Sequence, residues 1–214
     1  MTGDIAQAIQ TAFGMGDAQF IRLIERAPYT YKVYQIPKKS GGVRTIAQPA
    51  KETKLIQRWL IANVFDKLPI HESASAYKAG ASIKLNAAAH VGGDYLSKFD
   101  FKNFFPSISE RDICKHLSEF LGDGLSAHEI VWIARVACIR AFAGNERCLS
   151  VGAPSSPLLS NSVMFHFDSE LNGWCKERNI NYTRYADDLT FSSSMKNVSM
   201  EIESCIGDIL DGIS

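Results

Sequence analysis

The sequence predicts an α+β fold in which strands from distant parts of the chain meet in one sheet. Residues 181–193 contain two runs of strand-forming residues around the adjacent acids Asp187 and Asp188, a pattern that predicts a β-hairpin with both carboxylates at its tip. A third alternating run ends at Asp100. Apolar residues at helical spacing occupy much of the remaining chain, so helices are expected to back the sheet.

Length and composition indicate a globular protein. The length of 214 residues allows one large or two small domains, and the hydrophobic fraction of 46% is ample for a packed core. The five cysteines show no Cys-x-x-Cys spacing, so we expect reduced thiols rather than disulfides or a zinc site. The sequence has neither a signal-peptide pattern nor an apolar run of membrane-spanning length, and it therefore predicts a cytoplasmic protein without membrane association.

Charge is distributed unevenly although the formal net charge is zero. Residues 31–60 are predominantly basic, whereas residues 185–214 are predominantly acidic. This asymmetry fits a protein that binds phosphates at one place and metal ions at another, although charge alone favours two ordinary solvated faces.

The first part of the chain predicts helices followed by a basic hairpin. Residues 3–26 read as two short helices with a glycine hinge, and residues 49–68 as an amphipathic helix. Between them, two strand-like runs flank turn residues at 37–42, which predicts a hairpin. The basic residues at or just past its tip are Lys38, Lys39 and Arg44.

The central part predicts helices with defined starts. Ser109 and Ser126 each precede an acid three residues later, a capping-box pattern, and the second of these helices is expected to run toward Gly144. A turn at 151–158, stiffened by two prolines, is expected to lead into one helix that continues to Trp174.

The acids at 100, 187 and 188 suggest metal chemistry. Two adjacent carboxylates repel each other, and a fold tolerates them more readily when a cation neutralises them. Taken alone, an Asp-Asp pair such as Asp187–Asp188 is more typical of an acidic surface turn. A third carboxylate at a strand end supplies what two Mg²⁺ ions need for phosphoryl or nucleotidyl transfer, so Asp100, Asp187 and Asp188 form the predicted catalytic set.

These residues resemble a known family. Tyr-Ala-Asp-Asp at 185–188, preceded by Asp-x-x-x-x-Phe at 100–105, resembles the palm of reverse transcriptases. Gly-x-Pro-x-Ser-Pro at 152–157 lies between these two motifs in the family order, and Asn86-Ala-Ala-Ala-His90 matches the Asn-Ala-x-x-His signature of retron reverse transcriptases. The resemblance covers residues 30–195.

The resemblance implies a right-hand polymerase fold with fingers and an antiparallel palm sheet backed by helices. The implied regions, with fingers and palm interleaved, are an N-terminal helical segment at 1–28, fingers at 29–94 and an incomplete palm at 95–214, without a thumb. The resemblance implies metal ligation by Asp100, Phe101, Asp187 and Asp188, nucleotide binding by Lys38, Lys39, Arg44, Phe105, Gly152 and Ala153, and nucleic-acid binding by Asn86, His90 and Tyr185. From spacing alone, Asn86 and His90 are better explained as a structural pair than as nucleic-acid contacts.

The implied activity is RNA-directed DNA synthesis with two Mg²⁺ ions. Its implied partners are a structured noncoding RNA that serves as template and primer, the DNA product, dNTPs and a retron effector protein, in antiphage defence. Two alternatives stay open at this point. One is a truncated, non-catalytic nucleic-acid-binding module, and the other is a reverse transcriptase of the group II intron or abortive-infection type.

Overall fold

A computed structural model describes residues 5–38, 41–78, 80–140 and 146–213. The helices, in chain order, are α1 Ile5–Phe13, α2 Asp17–Arg26, α3 Lys51–Asn63, α4 Ile83–Ala88, α5 Phe104–Ser107, α6 Glu110–Leu121, α7 Ala127–Ala137, α8 Ser156–Val163, α9 Phe165–Glu177 and α10 Ser199–Ile213. The strands are β1 Tyr31–Pro37, β2 Val43–Pro49, β3 Tyr95–Asp100, β4 Ile139–Arg140, β5 Arg147–Cys148, β6 Asn181–Tyr185 and β7 Asp188–Ser193. Along the described ranges, no helix is both long enough and apolar enough to cross a bilayer.

The chain forms two compact units that interleave in sequence. The first unit comprises residues 1–68 and 103–160, and the second comprises residues 69–102 and 161–214. The assignment of residues 29–94 to fingers and 95–214 to palm, with the two interleaved, stays a prediction.

The first unit combines the β1–β2 hairpin with packed helices. β1 and β2 pair antiparallel from Tyr31 opposite Pro49 to Pro37 opposite Val43, so the predicted basic hairpin is present. The fully buried side chain of Gln57 on α3 donates a hydrogen bond to the Val136 carbonyl of α7 (2.8 Å), which ties these helices together.

The second unit is a three-stranded antiparallel sheet covered by helices on one face. The strand order is β3-β7-β6, so the hairpin strand β7 lies in the centre. α9 packs on β6, and α10 packs on α9 and contributes Ile202 to the same core. The buried residues of this core are Phe167, Leu171, Cys175, Ile180, Tyr182, Leu189, Phe191, Val198 and Ile202. The predicted α+β fold with a helix-backed antiparallel sheet is therefore confirmed.

Several predicted elements have different bounds in the structure. α7 ends at Ala137, because Cys138 is extended and leads into β4, and the helix does not run on toward Gly144. The predicted helix from the turn at 151–158 to Trp174 is broken at Met164 into α8 and α9. The helix predicted over 49–68 is regular only over α3 and then tightens into a 3₁₀ turn at Phe65–Lys67. Both predicted capping boxes, at Ser109 and Ser126, are present.

Candidate active site

The three predicted catalytic acids lie at one end of the sheet in the second unit. Asp100, the last residue of β3, pairs directly with Asp188, the first residue of β7. Asp187 precedes Asp188 in the turn of the β6–β7 hairpin, and its carbonyl accepts a hydrogen bond from the Phe101 amide (3.1 Å). The backbone register therefore brings acids from two distant segments together. Directly paired residues of antiparallel strands share a sheet face, so Asp100 and Asp188 point to the same side.

The turn between the strands has a strained backbone. Ala186, immediately before Asp187, adopts a left-handed conformation with φ of 60°. For a non-glycine residue such a conformation costs about 1–2 kcal/mol. Ala186 is also 5% exposed, and its main-chain oxygen accepts a hydrogen bond from the buried side chain of Arg184.

The acids are accessible, and a lysine lies beside them. Asp100 is exposed, and Asp187 and Asp188 are half-buried. The Lys98 ammonium lies 3.7 Å from Asp188 Oδ1 and supplies positive charge on the same face. Within the described ranges, no three His, Cys, Asp or Glu side chains are clustered closely enough to form a metal site as they stand. The backbone thus brings the acids to one sheet end without a closed ligand cage.

Beneath the turn lies a buried polar network that the sequence reasoning missed. Arg184 and Asp168 are both completely buried, and their side chains are paired at 2.6 Å (Nη2 to Oδ2) and 2.9 Å (Nε to Oδ1). The Tyr182 hydroxyl donates to the same Asp168 oxygen, Oδ1, at 2.7 Å. Burial lowers the pKa of Arg184, but the hydrogen bonds and charge of Asp168 outweigh it and leave that pKa raised. A sequence signal existed, since alternation places Arg184 on the same inward face of β6 as Tyr182.

His90 is buried against the sheet face that carries Asp188. Its Nδ1 lies 2.8 Å from Ser192 Oγ, and its Nε2 lies 2.8 Å from Thr183 Oγ1. Burial lowers the pKa of His90. Both ring nitrogens are thus engaged by the two hairpin strands, which agrees with the structural interpretation of the Asn-Ala-x-x-His motif, while a contact of His90 with RNA stays a prediction.

Asn86 is linked to the same hairpin through Ser75. The Ser75 hydroxyl lies 2.5 Å from Asn86 Oδ1 and 3.0 Å from the main-chain oxygen of Arg184. Tyr185 closes the hairpin opposite Asp188 and is half-buried. The residues predicted to contact nucleic acid therefore adjoin the strands that carry the acids, and their binding role stays a prediction.

The residues predicted to bind the nucleotide lie in the first unit. Lys38 and Arg44 are exposed on the β1–β2 hairpin, and Lys39 lies outside the described residues. Gly152 has φ of 118°, and a Cβ added there would be 2.9 Å from Ile46 Cγ2 and 3.0 Å from a main-chain oxygen of β2. Only glycine fits so close an approach.

The two remaining residues predicted to bind the nucleotide are aromatic and small. Ala153 is 4% exposed. Phe105 is half-buried and its ring packs edge-on at 5.5 Å from that of buried Phe104. Residues 104–107 form the short helix α5, so the two rings do not point to opposite faces of a strand, as adjacent residues of a strand would.

The chain matches a known protein family over most of its length. The family model described as reverse transcriptase (RNA-dependent DNA polymerase) matches residues 36–211. The chain is 40% identical over 200 residues to the retron Ec83 reverse transcriptase of Escherichia coli, covering 92% of this chain and 63% of that protein. It is 34% identical over 206 residues to the retron Mx162 reverse transcriptase of Myxococcus xanthus, covering 88% and 42% respectively. The chain therefore spans less than two thirds of the length of these curated relatives.

Solved structures show the same fold at low sequence identity. A telomerase from Candida albicans, in complex with a fragment of telomeric RNA, matches with a TM-score of 0.53 and 14% identity, covering 86% of this chain and 40% of that one. Apo telomerase from Candida tropicalis matches with a TM-score of 0.52 and 14% identity, covering 85% and 46%. Together with the match of the family model over most of the chain, the acid-bearing palm hairpin leads to one conclusion: the chain belongs to the reverse transcriptase (RNA-dependent DNA polymerase) family and, within it, is similar to the retron enzymes.

Proposed function

We propose that this chain is the fingers and palm portion of a retron-type RNA-directed DNA polymerase. The observation that carries the proposal is the register that sets Asp100 opposite Asp188, with Asp187 in the adjoining turn. Carboxylates from two segments at one sheet end are the donor set that two-cation nucleotidyl transfer uses. Similarity to retron enzymes from two bacterial genera favours this lineage over the group II intron and abortive-infection alternatives.

The donor set fits divalent cations, since carboxylate and carbonyl oxygens are the ligands that Mg²⁺ prefers. Asp100, Asp187, Asp188 and the Phe101 carbonyl would hold two such ions. When bound, the ions stabilise the negative charge that develops on the transferred phosphoryl group. The contribution of the chain itself is to hold the acids at one end of a rigid sheet and to add the positive charge of Lys98 beside Asp188.

We also propose that the β1–β2 hairpin contacts the nucleotide substrate. The exposed cations Lys38 and Arg44 suit the triphosphate of a dNTP, because a guanidinium can form paired hydrogen bonds with phosphate oxygens. A structured noncoding RNA as template and primer, and an effector protein in antiphage defence, stay predictions. All five cysteines are free, which favours the reducing cytoplasm as the place of action.

Substitution of the acids in the full-length protein tests this function. Asp187→Asn and Asp100→Asn should each abolish extension of a DNA primer on an RNA template, while binding of the same primer–template, measured by gel shift, should be largely kept. The reason is that charge stabilisation at the reacting phosphate is lost, whereas phosphate contacts elsewhere remain. Asp94→Asn, which removes an exposed carboxylate just before the other end of β3, is the matched control and should extend normally.

Two outcomes would contradict the proposal. Extension by Asp187→Asn at a rate near that of the wild type would remove the metal role of the acids. A wild-type protein that binds the primer–template without extending it, at any Mg²⁺ concentration, would instead support the non-catalytic binding module.

A further inference from the structure

The guanidinium of Arg184 lies directly beneath the turn that carries Asp187. Besides its bonds to Asp168, its Nη1 donates to the main-chain oxygen of Ala186 at 3.0 Å and to Asn161 Oδ1 at 3.1 Å. Ala186 is the residue with the left-handed backbone. The planar guanidinium therefore connects a buried helix carboxylate to the strained residue next to a predicted metal ligand.

The main chain of Arg184 is fixed as firmly as its side chain. Its amide donates to the Ser73 carbonyl at 2.8 Å, and its own carbonyl accepts from the Ser75 amide at 2.7 Å. These bonds add the segment 73–75 to the outer edge of β6 next to the turn. Because Arg184 cannot move along the strand, the hydrogen bond from its side chain restrains the position of the Ala186 carbonyl rather than following it.

Stability alone is a poor explanation for the Arg184–Asp168 pair. Removing two charges from water costs free energy that their attraction often fails to recover, and apolar replacements of such pairs are frequently neutral or stabilising. An apolar pair, however, could not donate a hydrogen bond to the turn. The feature that an arginine uniquely supplies here is a rigid fork that binds a carboxylate with one edge and a carbonyl with another.

We propose that Arg184 is a positioning residue for the metal-binding acids: anchored by Asp168, it holds the Ala186–Asp187 turn in the conformation that presents Asp187 beside Asp100 and Asp188. This inference rests on the proposed function, because the metal-binding role of those acids is part of it. Groups that orient metal ligands without touching the metal commonly change metal affinity by about 10–100-fold when they are replaced.

Two substitutions in the network separate positioning from packing. Arg184→Lys keeps a positive charge but replaces the fork with a single ammonium, which cannot reach Asp168, Asn161 and Ala186 together. Tyr182→Phe removes another hydrogen bond to Asp168 while the ring, stacked on Phe191 at 5.0 Å, is kept. Tyr182 makes no bond to the turn through its hydroxyl, so it is the matched control.

The experiment measures cation binding directly in the full-length protein. Mn²⁺ alone is titrated and followed by electron paramagnetic resonance, and the Mg²⁺ concentration for half-maximal primer extension is measured in parallel. Arg184→Lys should raise the Mn²⁺ dissociation constant by about tenfold or more and raise the Mg²⁺ requirement similarly. Tyr182→Phe should change either quantity by less than about twofold.

Equal losses of Mn²⁺ affinity in the two variants, or no loss in Arg184→Lys, would overturn the proposal. If Arg184→Lys fails to fold, the double variant Asp168→Leu/Arg184→Met replaces it. Removal of both charges should restore folding but not Mn²⁺ affinity. Mn²⁺ affinity equal to that of the wild type in the double variant would also overturn the proposal. Asp187→Asn identifies the other failure: if it binds Mn²⁺ as the wild type does, the proposed function is wrong rather than the role of Arg184.

Discussion

Asp168→Asn should be among the most destabilising single substitutions in the second unit. The change removes one negative charge and almost no volume, and it leaves the guanidinium of Arg184 completely buried without a counterion. The new amide would also place a donor against donors, because both carboxylate oxygens of Asp168 now accept hydrogen bonds, from Tyr182 and from Arg184. The substitution therefore isolates the electrostatic part of the network from its packing.

The expected loss follows from the complete burial of both partners. Breaking a buried ion pair by removing one partner costs about 3–5 kcal/mol, a large fraction of the roughly 5–15 kcal/mol that stabilises a typical domain. For a chain of this size each kcal/mol lowers the melting temperature by about 2–4 °C. We expect Asp168→Asn to lower it by roughly 6–20 °C.

Thermal unfolding followed by circular dichroism at pH 7 measures this shift. Asp211→Asn removes an exposed carboxylate on α10 of the same unit, and its melting temperature should stay within about 2 °C of the wild type. The double variant Asp168→Leu/Arg184→Met should recover most of the loss, because it removes both charges together. Equal melting temperatures of Asp168→Asn and Asp211→Asn would refute the reasoning, because burying the Arg184 guanidinium without its counterion would then cost no stability.

Three further predictions address other parts of the chain. Gly152→Ala should lower the melting temperature by several °C, because the added Cβ meets Ile46 at 2.9 Å and the backbone is left-handed; an unchanged melting curve would contradict this. Burial lowers the pKa of His90 below its ordinary 6.5, so the unfolded chain binds the proton more tightly, and stability should fall as pH drops through about 6.5. His90→Gln should flatten this dependence in melts between pH 7.5 and 5, and parallel curves would count against it. Phe105→Ala should relax the preference for dNTPs over rNTPs in single-nucleotide incorporation. Relaxation by Phe104→Ala instead would assign this selectivity to Phe104.

The elements that the sequence predicted well are those set by local chemistry. The β1–β2 hairpin follows from turn residues between two alternating runs. The starts of α6 and α7 follow from Ser109 and Ser126, whose side chains each accept a hydrogen bond from the backbone amide three residues later. The end of α7 was missed because Cys138 offers no stop signal of the glycine or proline kind. That helix stops where the chain enters a short strand pair with residues 147–148, and no pattern within the helix reports this tertiary contact.

The acids were found from sequence, but their support was not. Asp100, Asp187 and Asp188 belong to short motifs with a mechanism attached, so their type and order were informative. Asp168 lies on α9 among residues of an apolar stripe, and an acid in such a stretch is normally placed on the solvent side of a helix. Its partner Arg184 is on a strand, and only the packing of α9 against β6 brings the two together. A buried ion pair between non-local elements leaves no periodic signal.

The direct pairing of Asp100 with Asp188 also affects how the protein folds. β3 lies at the edge of the three-stranded sheet, and the helices α5 to α9 separate it in sequence from its partner strand β7. Pairing of this kind requires closure of a long loop before any contact stabilises it, and such contacts form slowly. A slip of one residue would turn Asp100 to the opposite face from Asp188. The hairpin with Asp187 and Asp188 can form early from local contacts, so we expect the chain to complete its metal-binding set only in the late, rate-limiting stage of folding.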